Sequence, residues 1–139
     1  MPYDVLAGIK VLDLSQRLAG SFCAKTLGLY GCEVVKVEPL AGDPIRSDKT
    51  DNPLFLHLNS GKKSITLNLF STKGKEIFLK LVKEFDVIVE TFQPKYMDKI
   101  GLEHKEFKRV NPSLIQTSVT PFGQTGPYKD FEYTELTVF

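Results

Sequence analysis

The sequence predicts an α/β layered fold in which helices flank a mostly parallel sheet. Short apolar runs rich in β-branched residues alternate with segments of helical periodicity. The apolar runs are nearly continuous, as in strands that are buried on both faces. The first two runs are separated by enough residues for a crossover helix. The 139 residues, of which 42% are hydrophobic and 25% charged, fit one globular domain with one core.

Residues 10–38 predict a βαβ unit. A strand over residues 10–14 is followed by a loop and by apolar residues at helical spacing over 22–30. Ser21 is a suitable N-cap, and Gly31 stands where a helix commonly ends with a positive φ. A second strand over 33–38 completes the unit, and we expect the crossover to be right-handed.

Residues 40–63 are rich in Gly, Pro, Asp, Ser and Asn, which predicts a long loop with one helical turn near 54–56. A strand over 64–69 follows because polar and apolar residues alternate there. Ser71 and Thr72 then cap a helix. The apolar positions of that helix lie on one face: Ile77, Phe78, Leu81, Val82 and Phe85.

The second half repeats the alternation of strands and helices. Strands are predicted over 86–90 and 114–120, with short helices over 95–100 and 103–110 between them. A last helix begins at Glu135, and only about one turn of it is present in the sequence. We therefore expect a fragment of a longer polypeptide, whose apolar end is covered by another chain in a homo-oligomer.

Composition argues against several classes of partner and site. The net charge is +1 and is evenly distributed, so neither nucleic acid nor an anionic membrane surface is an expected partner. No apolar run approaches a membrane span and no targeting peptide is evident, which favours a cytoplasmic protein. Cys23 and Cys32 are expected to be buried thiols, and together with His57 and His104 they do not have the spacing of a metal site.

The loops after the strands are the expected places for a ligand. The sequence has neither a dinucleotide fingerprint nor a P-loop. Backbone N–H groups at 19–21 would suit a phosphate, although an ordinary helix cap is the more common use of such residues. Lys62 and Lys63 would also suit a phosphate, or else form a solvated turn. The following carboxylates are available near strand ends or in the last loop: Asp13, Glu38, Glu90, Glu132 and Glu135.

The order of five segments carries more information than any one of them. These are LAGIKVLDLSQRLAG, LGLYGCEVVKVEPLAGDPIR, NSGKKSITLNLFSTKGKE, FDVIVETFQPKYMDKIGL and NPSLIQTSVTPFGQTGPY. Together they resemble the N-terminal part of the family III CoA-transferases, which include formyl-CoA and carnitine CoA-transferases and alpha-methylacyl-CoA racemase. The resemblance implies a Rossmann-like, CoA-binding α/β domain over residues 1–139. It also implies a longer polypeptide that forms an interlocked homodimer.

In the transferases of this family, an aspartate attacks an acyl-CoA thioester, and CoA passes between carboxylic acids through an aspartyl-CoA thioester. The racemase branch instead exchanges the α-proton of an acyl-CoA. A non-catalytic module that binds CoA or another adenine nucleotide remains an alternative. The matching nucleophile belongs to a later Gly-Asp segment that the 139 residues do not include. We therefore expect this chain alone to bind CoA weakly and to transfer none.

The resemblance also implies the residues that contact coenzyme A. The adenine and ribose region includes the end of the second strand, where Pro39 replaces the arginine of many members. Glu135 falls near the active site without being the nucleophile. The residues that match the CoA site are Gln16, Leu18 and Ala19 in the first loop, Leu67, Asn68, Leu69 and Phe70 after the third strand, Thr91, Phe92 and Gln93 at the pantetheine, and Lys99 near the phosphates.

Overall fold

The computed structural model describes residues 4–46 and 52–134. Within these residues, five strands pair in parallel in one sheet, with the order β3-β2-β1-β4-β5. The strands are β1 (Lys10–Asp13), β2 (Glu33–Glu38), β3 (Lys63–Thr66), β4 (Val87–Glu90) and β5 (Ile115–Ser118). The helices are α1 (Leu18–Leu29), α2 (Pro53–Asn59), α3 (Thr72–Glu84), α4 (Tyr96–Lys99) and α5 (His104–Val110), after a 3-10 turn at Asp4–Leu6. The predicted fold class is confirmed.

The two faces of the sheet are covered by different helices. Val11 of β1 packs with Ala24 of α1 in one apolar cluster. Its neighbour Leu12 packs with Phe78 of α3 and Phe107 of α5 in the other cluster. Successive side chains of a strand point to opposite faces, so both faces of β1 are buried, as its continuous apolar run predicts.

The same alternation determines where the polar residues of the sheet lie. Asp13 follows Val11 on the α1 face of β1, and Lys36 and Glu38 follow Val34 on the α1 face of β2. In β1 and β2 the α1 face is therefore apolar at the amino end and polar at the carboxyl end. This polar part lies next to the first turn of α1.

Helix α1 begins four residues earlier than the sequence predicts, and Ser21 is not its N-cap. The residue before the helix is Arg17, whose φ of 63° is unusual for a residue other than glycine. Ser21 is instead buried in the first turn, where its hydroxyl lies 3.2 Å from that of Ser15. Gly31, with a φ of 104°, follows the end of the helix as predicted.

Two further helices differ in how well the sequence predicted them. Ser71 caps α3 by accepting a hydrogen bond from the backbone N–H of Gly74 at 3.0 Å, as expected. Helix α2 spans seven residues within the segment predicted to be mostly loop. The side chain of Asn52 caps it by accepting from two backbone N–H groups, and Pro53 occupies the first helical position.

None of the described helices is both long and apolar enough to cross a membrane. Both cysteines are free: Cys32 is buried, as expected, whereas Cys23 is partly exposed on α1.

Candidate functional site

A cavity of about 230 Å³ lies at the carboxyl ends of the central strands. In parallel α/β sheets this edge is where ligands usually bind. The lining comes from the end of β2, from the residues that follow β1 to β4 and from α4. These residues are Leu14, Gln16, Val37, Glu38, Pro39, Leu40, Leu67, Asn68, Leu69, Phe70, Phe92 and Tyr96.

Three aromatic rings form one wall of this cavity. The rings of Phe92 and Tyr96 are stacked, with centroids 4.6 Å apart and an interplanar angle of 23°. Phe70 meets Tyr96 edge-on at 6.4 Å. Although Phe70 lines the cavity, 69% of its surface is exposed, so its ring is available to a ligand. Such a wall is suited to a flat, apolar ring.

Six of the residues proposed from the sequence for the CoA site line this cavity together. They are Gln16, Leu67, Asn68, Leu69, Phe70 and Phe92. The other five lie elsewhere. Leu18 and Ala19 are exposed at the start of α1, Lys99 is exposed at the end of α4, and Gln93 lines a second cavity. Glu135 lies outside the described residues.

Thr91 has a supporting position rather than one in the cavity wall. Its hydroxyl oxygen accepts a hydrogen bond from the backbone N–H of Gln16 at 2.9 Å. A Cβ atom at Gly20 would collide with the Thr91 methyl group and with the Cβ of Ser15. The absence of a side chain at Gly20 therefore allows α1, the loop after β1 and the end of β4 to pack closely.

Glu38, at the end of β2, is 2% exposed and accepts hydrogen bonds from three residues. The donors are the Arg46 guanidinium, at 2.8 and 2.9 Å, the backbone N–H of Asp43 at 2.8 Å and the Ser64 hydroxyl at 2.5 Å. Burial alone would raise the pKa of Glu38, but these donors lower it to about 2. Glu38 is thus an ionised anchor for the segment after β2.

Two aspartates and two lysines form a buried group beside the first turn of α1. The Lys36 ammonium lies 2.8 Å from Asp43 and 4.0 Å from Asp13, and it donates to the backbone carbonyl of Ser15 at 2.8 Å. The Lys62 ammonium lies 2.7 Å from Asp13. The charges of the four side chains balance, which is the condition under which ions are tolerated inside a protein.

A second cavity, of about 420 Å³, lies between the carboxyl ends of β4 and β5 and helix α4. Its lining is more polar and includes Glu90, Gln93, His104, Gln116 and Ser118. Glu90 is 2% exposed and accepts from the backbone N–H of Phe92 at 2.6 Å. Burial raises the pKa of Glu90, and hydrogen bonds from Ser118 and Phe92 partly offset that rise.

Among the described residues, no group of three or more His, Cys, Asp or Glu side chains is arranged to hold a metal ion.

Comparison with known proteins identifies the family. The sequence model of CoA-transferase family III matches residues 6–137 of the chain. The chain belongs to CoA-transferase family III. The family accounts for the order of the sequence motifs, and the fold is that of its solved members.

Two curated relatives in this CoA-transferase family are similar over most of the chain. The beta subunit of succinyl-CoA–L-malate CoA-transferase from Chloroflexus aurantiacus is 41% identical over 90% of the chain, which spans 32% of that protein. Formyl-CoA:oxalate CoA-transferase from Bradyrhizobium diazoefficiens is 38% identical over 94% of the chain, again 32% of that protein. The chain spans about a third of the length of these CoA-transferases.

Among solved structures, Rv3272 from Mycobacterium tuberculosis superposes with a TM-score of 0.91. It is 35% identical to this chain, and the match covers 99% of this chain and 39% of Rv3272. Sequence and structure therefore agree on membership in CoA-transferase family III.

Tyr96 and Lys36 are not among the residues that the sequence of this CoA-transferase family member predicts for the site. Tyr96 lines the cavity and stacks on Phe92. Their spacing of four residues does not by itself predict this contact, because Phe92 lies before α4 and the left-handed Lys95 precedes that helix. Lys36 interrupts the apolar run of a central strand, which predicts a buried ammonium with a carboxylate partner. Glu38, one of the carboxylates that the sequence places near a strand end, is buried in the structure.

Proposed function

We propose that residues 4–134 form the CoA-binding part of a family III CoA-transferase, with the adenine ring in the cavity at the carboxyl ends of β1 to β3. The observation that carries this proposal is the aromatic wall of Phe70, Phe92 and Tyr96 beside the apolar segment after β3. A purine offers an apolar face that stacks on such rings.

The size of the cavity favours a part of a ligand over a whole one. Cavities that enclose a drug-sized ligand measure roughly 300–1,000 Å³, whereas this one measures about 230 Å³. We propose that the rest of CoA extends along the sheet edge, with the pantetheine near residues 91–93. The ammonium of Lys99, exposed at the end of α4, would pair with a phosphate.

For the whole protein we propose transfer of CoA between an acyl-CoA and a carboxylic acid. The support is the family match and the activities in the names of the two curated relatives. In this proposal the described residues bind and orient CoA. The nucleophilic carboxylate that the resemblance implies falls outside the 139 residues.

Homo-oligomeric assembly and a cytoplasmic location are further parts of this proposal. Three apolar side chains of α1 are more than half exposed, namely Leu18, Phe22 and Leu29. Exposed apolar side chains on one helix are typical of a surface that another chain covers. Sedimentation at micromolar concentration tests the assembly: a stable dimer is expected, and a well-folded monomer contradicts it.

Calorimetric titration with CoA tests the binding proposal. Phe70→Ala removes an exposed ring from the cavity wall, and stacking of a base on an aromatic ring contributes roughly 1–3 kcal/mol. We expect the Kd for CoA to rise about tenfold or more. Phe131→Ala is the matched control because Phe131 is also exposed, at 59%, but lies outside the cavity lining. Equal affinities of the two variants would contradict the assignment of the cavity.

A further inference from the structure

Lys62 precedes β3 in the sequence, but its ammonium lies inside the protein. The side chain is 2% exposed. It donates to the Asp13 carboxylate at 2.7 Å, to the backbone carbonyl of Ser21 at 2.9 Å and to the Asn59 side-chain oxygen at 3.0 Å. An ammonium has three N–H donors, so all of them are used. The phosphate role considered for this lysine would require these bonds to break.

The Asp13 carboxylate, to which Lys62 donates, also holds the turn after β1. It accepts from both the backbone N–H and the hydroxyl of Ser15. Because Lys36 donates to the Ser15 carbonyl, both backbone polar groups of Ser15 are fixed by buried charged side chains. Gln16, which lines the apolar cavity, comes next in the chain.

Lys62 therefore connects three parts of the fold that are distant in sequence. Asn59 belongs to the end of α2, Ser21 to the first turn of α1, and Asp13 to the end of β1. A buried ion pair contributes little net stability compared with apolar residues of the same size, because both charges lose their hydration. Its better-attested use is to specify one geometry among several compact alternatives.

We propose that Lys62 is a positioning residue, which fixes the turn at residues 15–21 against β1 so that the wall of the CoA cavity is formed before the ligand binds. The consequence for affinity rests on the proposed function. The effect on the turn itself does not, so the two are tested separately.

Hydrogen exchange without ligand tests the effect on the turn. Lys62→Met keeps an unbranched side chain, one heavy atom shorter than that of lysine, and removes its charge. We expect amides 15–21 to exchange at least tenfold faster in this variant, with β4 unchanged. Lys63→Met is the control, because Lys63 is exposed and its ion pair with Glu33 is on the surface. Unchanged exchange at 15–21 in Lys62→Met would overturn the proposal.

Titration of the protein with CoA at low and at high salt tests the effect on affinity. We expect Lys62→Met to weaken binding about tenfold at both salt concentrations, since a buried pair is little screened. A loss that disappears at high salt would instead indicate a solvated contact between Lys62 and a ligand phosphate, and would overturn the proposal. If the wild-type protein binds no CoA, the proposed function fails, while the exchange result still decides the role of Lys62.

Asn59→Ala provides a milder form of the same experiment. It removes one of the three acceptors and leaves the pair between Lys62 and Asp13 intact. We expect faster exchange in the same segment, by a smaller factor than in Lys62→Met. If Lys62→Met does not fold, hydrogen exchange and titration with CoA are both measured on Asn59→Ala instead. Exchange at 15–21 equal to that of the wild type would then overturn the proposal.

Discussion

The carboxylate of Glu38 and the guanidinium of Arg46 form a bidentate ion pair, in which Nε of Arg46 donates at 2.8 Å and Nη2 donates at 2.9 Å. The pair joins the end of β2 to the segment that follows it. Glu38 is buried and the Arg46 side chain is about half exposed. Arg46 also lies over the ring of Phe55, 3.9 Å from its centroid. The ion pair therefore links the cavity rim to α2.

Arg46→Gln is expected to destabilise the protein by about 1–2 kcal/mol at pH 7, because the buried Glu38 carboxylate loses its charged partner. The loss is not larger because the Arg46 side chain is about half exposed, so that solvent screens the ion pair. Urea unfolding followed by circular dichroism measures this. Arg109→Gln is the control, because it removes an exposed pair on α5 and should cost no more than about 0.5 kcal/mol.

The same pair predicts how stability depends on acid. The folded state lowers the pKa of Glu38 from 4.5 to about 2, so its contribution is complete above pH 4.5 and is lost as the pH falls towards 2. Without Arg46 the pKa of Glu38 is higher in the folded state. The acid unfolding midpoint of Arg46→Gln should therefore lie at a higher pH than that of the wild type. Equal midpoints would show that Arg46 does not stabilise the ionised carboxylate.

Gly20→Ala is expected to destabilise the protein by about 2 kcal/mol, because the new methyl group overlaps the side chains of Thr91 and Ser15. Gly28→Ala, in the same helix, is the matched control. A Cβ there would meet Val34 at an ordinary 3.4 Å, so the better helix propensity of alanine should stabilise by about 0.5–1 kcal/mol. Thermal unfolding of both variants should show shifts of opposite sign. Similar shifts would contradict the close approach at Gly20.

Glu90→Gln should gain stability relative to the wild type as the pH rises. Burial raises the pKa of Glu90 in the folded state, so stability linked to its proton is present below about pH 4.5 and is lost as the pH rises through the folded pKa. Glutamine does not ionise and avoids this loss. Urea unfolding at pH 5 and pH 8 measures the difference. Glu84→Gln, at an exposed position on α3, serves as the control. A pH-independent difference for Glu90→Gln would contradict the effect of burial.

The fold was predictable because its strands are buried on both faces. Val34, Val35 and Val37 form a run that only a central parallel strand accommodates well, and the structure confirms the run as β2. Boundaries were less predictable where a residue has two roles. Ser21 has the chemistry of an N-cap, but it lies inside α1. The helix begins directly after Arg17, whose positive φ the sequence does not indicate.

The candidate site was predictable only in part. The segment after β3, including Leu67 and Phe70, lines the cavity as its matching motif implied. The inward orientation of Lys62 was not predictable from Gly61-Lys62-Lys63, because the three acceptors of its ammonium come from residues 13, 21 and 59. Contacts between residues so far apart in sequence depend on the packing of α1 against the sheet and of α2 against α1, which local patterns do not encode.

Backbone amide chemical shifts during titration with CoA report where on the protein the ligand binds. We expect the largest changes in chemical shift at residues 67–70, with smaller ones at Leu40 and Phe92 around the same cavity. The chemical shifts of residues 31–33, at the amino ends of the strands, should not change. Changes confined to the amino ends of the strands, or no changes at saturating CoA, would contradict the assignment of the CoA site to the carboxyl ends.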